Sequence, residues 1–364
     1  MRHHRPVHLA HLRLRDFRNY SRLDADFEPG FHVLLGRNAQ GKTNLLEAMH
    51  LLATLRSFRG VGNAPMVRHG QEGWFIGGRV IGTGSHEVKF YWSPSERNLT
   101  CDNQPVQRLT DYLGTLRTVA FCSEDVQLVK GAGRGRRRFM DFLLAQTLPA
   151  YLPLLQQYMR AVRSRNALLK KKPVDEASLE SFTHEVVKLG NEIMTHRREL
   201  LPALAPLVTA AHRRIAPEGE ELQVDYQPRV KNDFAAELER VRERELAQGS
   251  TVIGPHRDEL GLLLDGKSAA EFASEGQKRT LAIALKMAQA EHLTTVHGVP
   301  PVLLIDDVMG ELDADRRHGF LPLLEQCGAG RGQVFMTCTE ENWSAELGSE
   351  LKRWEVSDGK LTER

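Results

Sequence analysis

The chain has 364 residues, 41% hydrophobic and 26% charged, with a formal net charge of +2. That length allows two or three domains with a sizeable core, and the composition is that of an ordinary globular protein, which excludes the disordered and fibrous classes. No apolar run approaches the roughly 18 residues of a spanning helix. The basic N-terminus MRHHRPVHLAHLRLRDF lacks the apolar stretch of a signal peptide, and Cys101, Cys122, Cys327 and Cys338 form no CxxC pair, so free thiols in a reducing cytoplasm are expected, with no membrane partner.

In chain order, the alternation of VHLAHLRLRDF (7–17) predicts a half-buried strand and FHVLLG (31–36) a buried one. TNLLEAMHLLATL (43–55) has helical period. Strands are expected at 74–81, 86–92 and 118–122, with Gly- and Asn-containing joints that suit an antiparallel sheet. From about 136 to 215 the pattern is helical, with Pro149, Pro153, Pro173, Pro202 and Pro206 marking starts, kinks or turns. A short strand (221–226), a helix (234–249) and another strand (259–266) follow, then a long helix (277–293), the buried strand 301–307, a helix (314–326), the strand 333–338 and a terminal hairpin. The α/β pattern is thus interrupted by a helical insertion and then resumes. The expected division is an α/β domain in two pieces, 1–130 and 251–364, around an inserted helical arm at 131–250.

Charge is unevenly spread. Residues 130–172 carry eleven Lys or Arg and one acid, Asp141, whereas 218–245 carry nine acids and five bases. A polyanion partner, pairing within the protein, and plain solvated helix faces are all compatible with that distribution.

The chemistry starts at GRNAQGKT (36–43): Gly36, Arg37, Asn38, Ala39, Gln40, Gly41, Lys42 and Thr43. Glycines let the backbone amides curl toward phosphates, the lysine reaches the β- and γ-phosphates, and the threonine hydroxyl suits Mg²⁺. The motif follows a buried strand and opens a helix, the context it requires. The aliphatic run VLLIDD (302–307) delivers two carboxylates to the end of a buried strand, where ligands bind in open α/β sheets. Asp306 is the expected Mg²⁺ holder and Asp307 the group acting on the attacking water. ATP and Mg²⁺ are the expected cofactors.

A second polar loop, Ser274, Glu275, Gly276 and Gln277, opens a later helix. It resembles the signature sequence of ABC-type ATPases, with Glu275 in place of the usual glycine, and GELDADRR (310–317) resembles their D-loop, with Asp313 as the crossing acid. A capped helix with Ser274 as N-cap explains the loop alone, but not its order with the acidic strand and the D-loop.

The tracts DFRNYSRLDADFEPGFHVLLGRNAQGKTNLLEAMHLLATLRSFRG (16–60), GPHRDE (254–259), SEGQKRTLAIALKMAQAE and LIDDVMGELDADRR together resemble the RecF family of bacterial recombination mediators, over essentially the whole chain. The resemblance implies an α/β ABC-type ATPase head with a mixed sheet and a compact helical arm. It implies ATP-dependent homodimerisation on DNA, ATP held between subunits, DNA-stimulated hydrolysis, and action with RecR and RecO at single-stranded gaps to load RecA and trigger the SOS response; three departures from ABC transporters make that hydrolysis slow and switch-like in expectation. Arg136, Arg137 and Arg138, with Arg134, Arg163, Arg165, Lys170, Lys171 and Lys172, are the candidate DNA contacts, and Arg59 a candidate link between DNA and nucleotide.

Several features depart from ABC transporters. Thr337 and Thr339 stand where a switch histidine is usual, Asp307 replaces the usual Glu, and only Glu124 and Gln127 approach the place of a Q-loop glutamine. A transport ATPase subunit and a DNA scaffold using ATP as structural glue are the alternatives; the 264 positions between Lys42 and Asp306 argue against the first. Among fifteen histidines, His3, His4 and His256 have no second ligand at a metal-binding spacing, and Arg257 and Asp258 are expected to pair or to line a nucleotide interface.

Overall fold

A computed structural model describes residues 7–216, 219–328, 332–339 and 351–364. His3 and His4 lie outside them. The chain forms two compact units: residues 1–125, 213–216 and 283–364 make the first, and 126–212 with 217–282 the second. The first break lies at 125/126, against an expected 130/131. The return at 251 is not where the second unit ends, because the strand that follows Asp258 pairs back onto the strand near residue 225 and stays with it.

In order, the first unit supplies β1 (His8–Phe17), β2 (Tyr20–Asp26), β3 (Gly30–Leu35), α1 (Lys42–Thr54), β4 (Trp74–Ile81), β5 (Ser85–Trp92), β6 (Arg97–Cys101), β7 (Gln104–Pro105) and β8 (Thr118–Phe121). The helical stretch follows as α2 (Arg134–Thr147), α3 (Tyr151–Leu169) and α4 (Glu176–Ile215), the last running through Pro202 and Pro206. Then come β9 (Leu222–Gln227), α5 (Phe234–Arg240), α6 (Arg242–Gln248), β10 (Glu259–Leu264), β11 (Lys267–Ser268) and α7 (Glu275–His297). The chain ends with β12 (Val302–Ile305), α8 (Ala314–Gly328), β13 (Gln333–Cys338), β14 (Leu351–Ser357) and β15 (Lys360–Glu363). The single helix expected at 234–249 is two, because Val241 leaves helical angles at φ −99°, ψ 6°.

Among the described residues, two six-stranded sheets build the first unit, in the orders β2-β1-β4-β5-β6-β7 and β15-β14-β3-β13-β12-β8. The first is antiparallel and shows the half-buried alternation read from the sequence. In the second, β8, β12, β13, β3 and β14 all run parallel. The strand expected at 118–122 as part of the antiparallel set therefore belongs here. Its four residues are all buried, and a run buried on both faces belongs inside a parallel sheet. Helix α1 packs against strands of both sheets. Leu45, Leu46, Met49 and Leu52 join Leu12, Trp74, Phe90, Leu304 and Phe335 in one core, which holds the loop ahead of α1 rigidly at the ends of the parallel strands.

Candidate phosphate-binding site

The strand order β3-β13-β12 sets the geometry of the site. The loop 36–43 leaves the C-terminal end of β3, Asp306 and Asp307 leave that of β12, and Thr337 lies near the end of the strand between them. The loop demands glycine at two places. A Cβ on Gly36 would lie 2.3 Å from the Val356 carbonyl oxygen, and Gly41 sits at φ +115° with Asn19 where its Cβ would be.

The loop is braced by residues with no motif of their own. Asn19 Nδ2 donates to the Gln40 carbonyl at 2.9 Å, and the Tyr20 hydroxyl donates to the Gly41 carbonyl at 3.0 Å. From the β14–β15 turn, the Asp358 amide donates to Gln40 Oε1 at 2.8 Å and the Gly359 amide to the Gln40 carbonyl at 3.2 Å. The only sequence signal for Asn19 is its place in the resembling tract 16–60, since local periodicity cannot report a contact with a loop twenty residues away.

Lys42 Nζ donates to the carbonyls of Gly36 at 2.5 Å and Arg37 at 3.0 Å. Burial pushes its ammonium below the ordinary value, while Asp307 and Asp306 pull it back up. Such a desolvated cation gains more from an anion than an exposed one does. Thr43 Oγ1 donates to Asp306 Oδ1 at 2.8 Å, and Thr337 Oγ1 donates to the same oxygen at 3.0 Å. Burial raises the Asp306 carboxyl above its usual range against the two hydroxyls and Arg59, and Glu124 adds to the rise. A hydroxyl and a carboxylate converging beside a phosphate loop are hard oxygen donors of the kind Mg²⁺ takes, with its remaining positions left to water and phosphate. Thr43 and Asp306 thus fit the ion.

Asp307 is exposed and adopts φ +57°, unusual for a residue with a side chain. Its amide donates to Thr337 Oγ1 at 2.8 Å. Thr337 therefore fixes both carboxylate residues, while Thr339 is exposed. Asn38, Ala39, Gln40, Gly41, Lys42, Thr43, Asn44, Arg59, Asp306, Asp307 and Thr337 line one cleft of about 160 Å³. Arg59 is held there by Asn44 Oδ1 at 3.1 Å and by the fully buried Glu47 at 3.7 Å. Arg18 forks onto the same Glu47 at 2.8 and 2.9 Å. Glu124 lies exposed on the turn Ser123–Val126 after β8, and Gln127 is exposed at the start of the next.

In the second unit the 274–277 loop caps α7. Ser274 Oγ accepts from the Gln277 amide at 3.2 Å, and Gln277 Oε1 accepts from the Ser274 amide at 2.7 Å, a reciprocal capping box. Ser274, Glu275 and Gly276 are exposed, and a Cβ on Gly276 would meet only Ser274 Oγ, 4.0 Å away. In the first unit Asp313 is exposed and caps α8, its Oδ1 accepting from the Arg316 amide at 2.9 Å.

The candidate DNA contacts divide sharply. Arg136 is buried, forks onto Glu259 at 2.7 and 3.1 Å, and donates to the carbonyls of Leu128, Val129 and Gly131. Arg165, 1% exposed, pairs with the buried Glu245 at 2.6 Å and donates to Thr183 and Thr251. Both are buried with their guanidiniums engaged inside the protein, so both are corrected from DNA contacts to internal ties. Arg137 is half-buried and donates to the Asp258 carbonyl at 2.7 Å. Arg134, Arg138, Arg163, Lys170, Lys171 and Lys172 are exposed. Asp258 does not pair with Arg257; it is buried and held by Arg197 at 3.4 Å and by the Arg229 amide at 2.8 Å. His256 is half-buried, with Nδ1 2.6 Å from the Tyr158 hydroxyl.

Residues 8–361 match the family described as RecF/RecN/SMC N terminal domain. The chain is 40% identical over 348 residues to the DNA replication and repair protein RecF of Symbiobacterium thermophilum, covering 92% of both. It is 35% identical over 371 residues to the RecF of Geobacillus kaustophilus, covering 97% of this chain and 99% of that one. Among solved structures it is similar to that of the recombination mediator protein RecF-ATP in the RecFOR pathway, with a TM-score of 0.91 and 28% identity over the whole of both chains. The Smc head domain of Pyrococcus furiosus, at 14% identity and a TM-score of 0.59 over 98% of this chain and 96% of that one, shares the fold.

Proposed function

The chain belongs to the RecF family of DNA replication and repair proteins, and we propose on that premise that it is an ATP-dependent, DNA-binding recombination mediator. It dimerises on DNA with ATP between subunits, acts at single-stranded gaps with RecR and RecO, and promotes RecA loading and the SOS response. The observation that carries the ATP part is the meeting of Thr43, Asp306 and Thr337 over the loop 36–43. The cleft's 160 Å³ is about half of the roughly 300 Å³ at which ligand pockets begin. It suits the phosphates and leaves the capping of the γ-phosphate to another surface. The exposed signature loop of a second subunit, with its open Gly276, is the surface we assign to that role, with Asp313 crossing beside it.

In this mechanism the amides of residues 36–43 and Lys42 hold the phosphates, and Thr43 and Asp306 would hold Mg²⁺, which would neutralise phosphate charge. Asp307 orients a water and accepts its proton, and Thr337 keeps both acids in place. One shared hydroxyl fixing two carboxylate residues, with no histidine to move between states, favours slow turnover that works as a switch. Asp307→Asn should retain ATP and lower turnover by about 10²–10⁴-fold, the usual worth of such a group. A fall of less than about twofold by phosphate release would remove Asp307 from that role, and no turnover in the unaltered protein would favour the scaffold reading.

The DNA surface we propose is the exposed basic set Arg134, Arg138 and Arg163, with the lysines at 170–172. Reversing those three arginines to Glu should weaken binding to gapped duplex and flatten the slope of log K against log salt by roughly 0.9 for each phosphate no longer neutralised. An unchanged slope would place DNA elsewhere. Arg136 is unsuitable for this test, since its reversal would set a carboxylate against Glu259.

A further inference from the structure

On the antiparallel sheet of the first unit, away from the phosphate loop in sequence, three chemically distinct ligand groups meet. His86 lies on β5 and Cys101 ends β6, with Val88 opposite Cys101 across the pair. His86 stands two residues before Val88, so it and Cys101 share a face of the sheet diagonally. Asp102 would point to the other face in a continuing strand. Instead Asp102 and Asn103, at φ +52° and +62°, form the two-residue turn into β7, which swings the Asp102 carboxylate back toward His86. His86 Nδ1 lies 2.8 Å from Asp102 Oδ2, and Cys101 Sγ lies 3.9 Å from the same oxygen. All three ligand atoms lie within 4.8 Å of one another.

We propose that His86, Cys101 and Asp102 form a binding site for a borderline-soft divalent cation of the Zn²⁺ class. Bond lengths of about 2.0–2.3 Å to nitrogen, oxygen and sulfur in a tetrahedron put neighbouring ligand atoms roughly 3.3–3.7 Å apart. The separations of 2.8 and 3.9 Å bracket that range, and the third pair lies within 4.8 Å, so side-chain shifts of roughly half an ångström to one ångström complete the site. One thiolate and one carboxylate balance the ion's charge, and the thiol proton leaves to solvent on binding. Asp102 Oδ1 already accepts from the Glu87 amide at 2.8 Å, which fixes the carboxylate as an outer contact fixes a ligand. Three protein ligands leave a fourth position for water. Hard Mg²⁺, bound by oxygens alone, does not compete for a sulfur and an imidazole. The bound ion would tie the turn after β6 to β5.

The test is a Co²⁺ titration of the full-length, nucleotide-free protein after chelator treatment, followed by the cobalt–thiolate charge-transfer absorption. One equivalent should generate the band, and Zn²⁺ should remove it. Cys101→Ser should abolish it, and His86→Ala should weaken binding by about tenfold or more, given that outer partners alone are worth roughly 10–100-fold. Cys101 is half-buried, so Cys101→Ser should keep the wild-type circular dichroism. Absence of the band in the wild-type protein, or its survival in Cys101→Ser, would overturn the site.

Discussion

Lys42→Met is expected to abolish ATP-dependent function at its first step. The side chain is the cation that the fold aims into the phosphate loop, parked on the carbonyls of Gly36 and Arg37. Burial already disfavours its charge, with Asp307 and Asp306 opposing that cost, so an arriving phosphate meets a poorly solvated ammonium. Charge-assisted hydrogen bonds contribute roughly 1.5–3 kcal/mol each, and loss of a single donor aimed at developing charge lowers rates about 10²–10³-fold. Methionine keeps much of the volume and none of the charge. ATP affinity by calorimetry, turnover by phosphate release and ATP-dependent retention on gapped DNA should therefore fail together. Wild-type DNA retention by Lys42→Met in ATP would refute an ATP-driven switch.

Ser274→Arg should separate binding from association. The substitution leaves the loop 36–43 that holds phosphates, and Asp306 with its hydrogen bonds from Thr43 and Thr337, as they are. It removes the cap hydroxyl of α7, worth about 1 kcal/mol, a modest loss for a folded domain. It also sets a long cation where we propose that only a hydroxyl and the bare Gly276 amide fit against a second subunit. Nucleotide binding by the single chain should persist while hydrolysis disappears. Mixed with Lys42→Met, it leaves one intact loop facing one intact signature, so partial return of ATPase activity should follow from sites shared between chains.

Much of this arrangement was legible in the sequence, for a physical reason. The phosphate loop, the acidic strand and the capped α7 are each written in contiguous residues whose backbone needs are local. Continuous burial in VLLI and QVFMTC made the parallel strands visible as aliphatic runs. The strand order was not visible. That β13 lies between β3 and β12, and so puts Thr337 beside Asp306, follows from pairing across more than thirty residues. Edge strand β2 escaped notice because YSRLDAD offers buried positions only at Tyr20 and Leu23.

The basic stretch shows the limit of counting charge. Arg136 and Arg138 read alike in a run of arginines, yet one is buried on Glu259 and the other exposed. Their difference is set by a partner 123 residues away, and burial of a charge is permitted only where such a partner exists. The same holds for Arg165 and Glu245. The braces on the phosphate loop from Asn19, Tyr20 and the 358–359 turn belong to the same class of long-range contact.

The central claim is that ATP joins two chains through the loop 36–43 of one and the loop 274–277 of the other. Mass in solution by light scattering, for the wild-type chain and Ser274→Arg with ATP, with ADP and without nucleotide, tests it most directly. The wild-type mass should double from that of the 41.0 kDa chain with ATP alone, while Ser274→Arg should remain monomeric in all three conditions. A Ser274→Arg chain that dimerises normally with ATP would contradict the shared site.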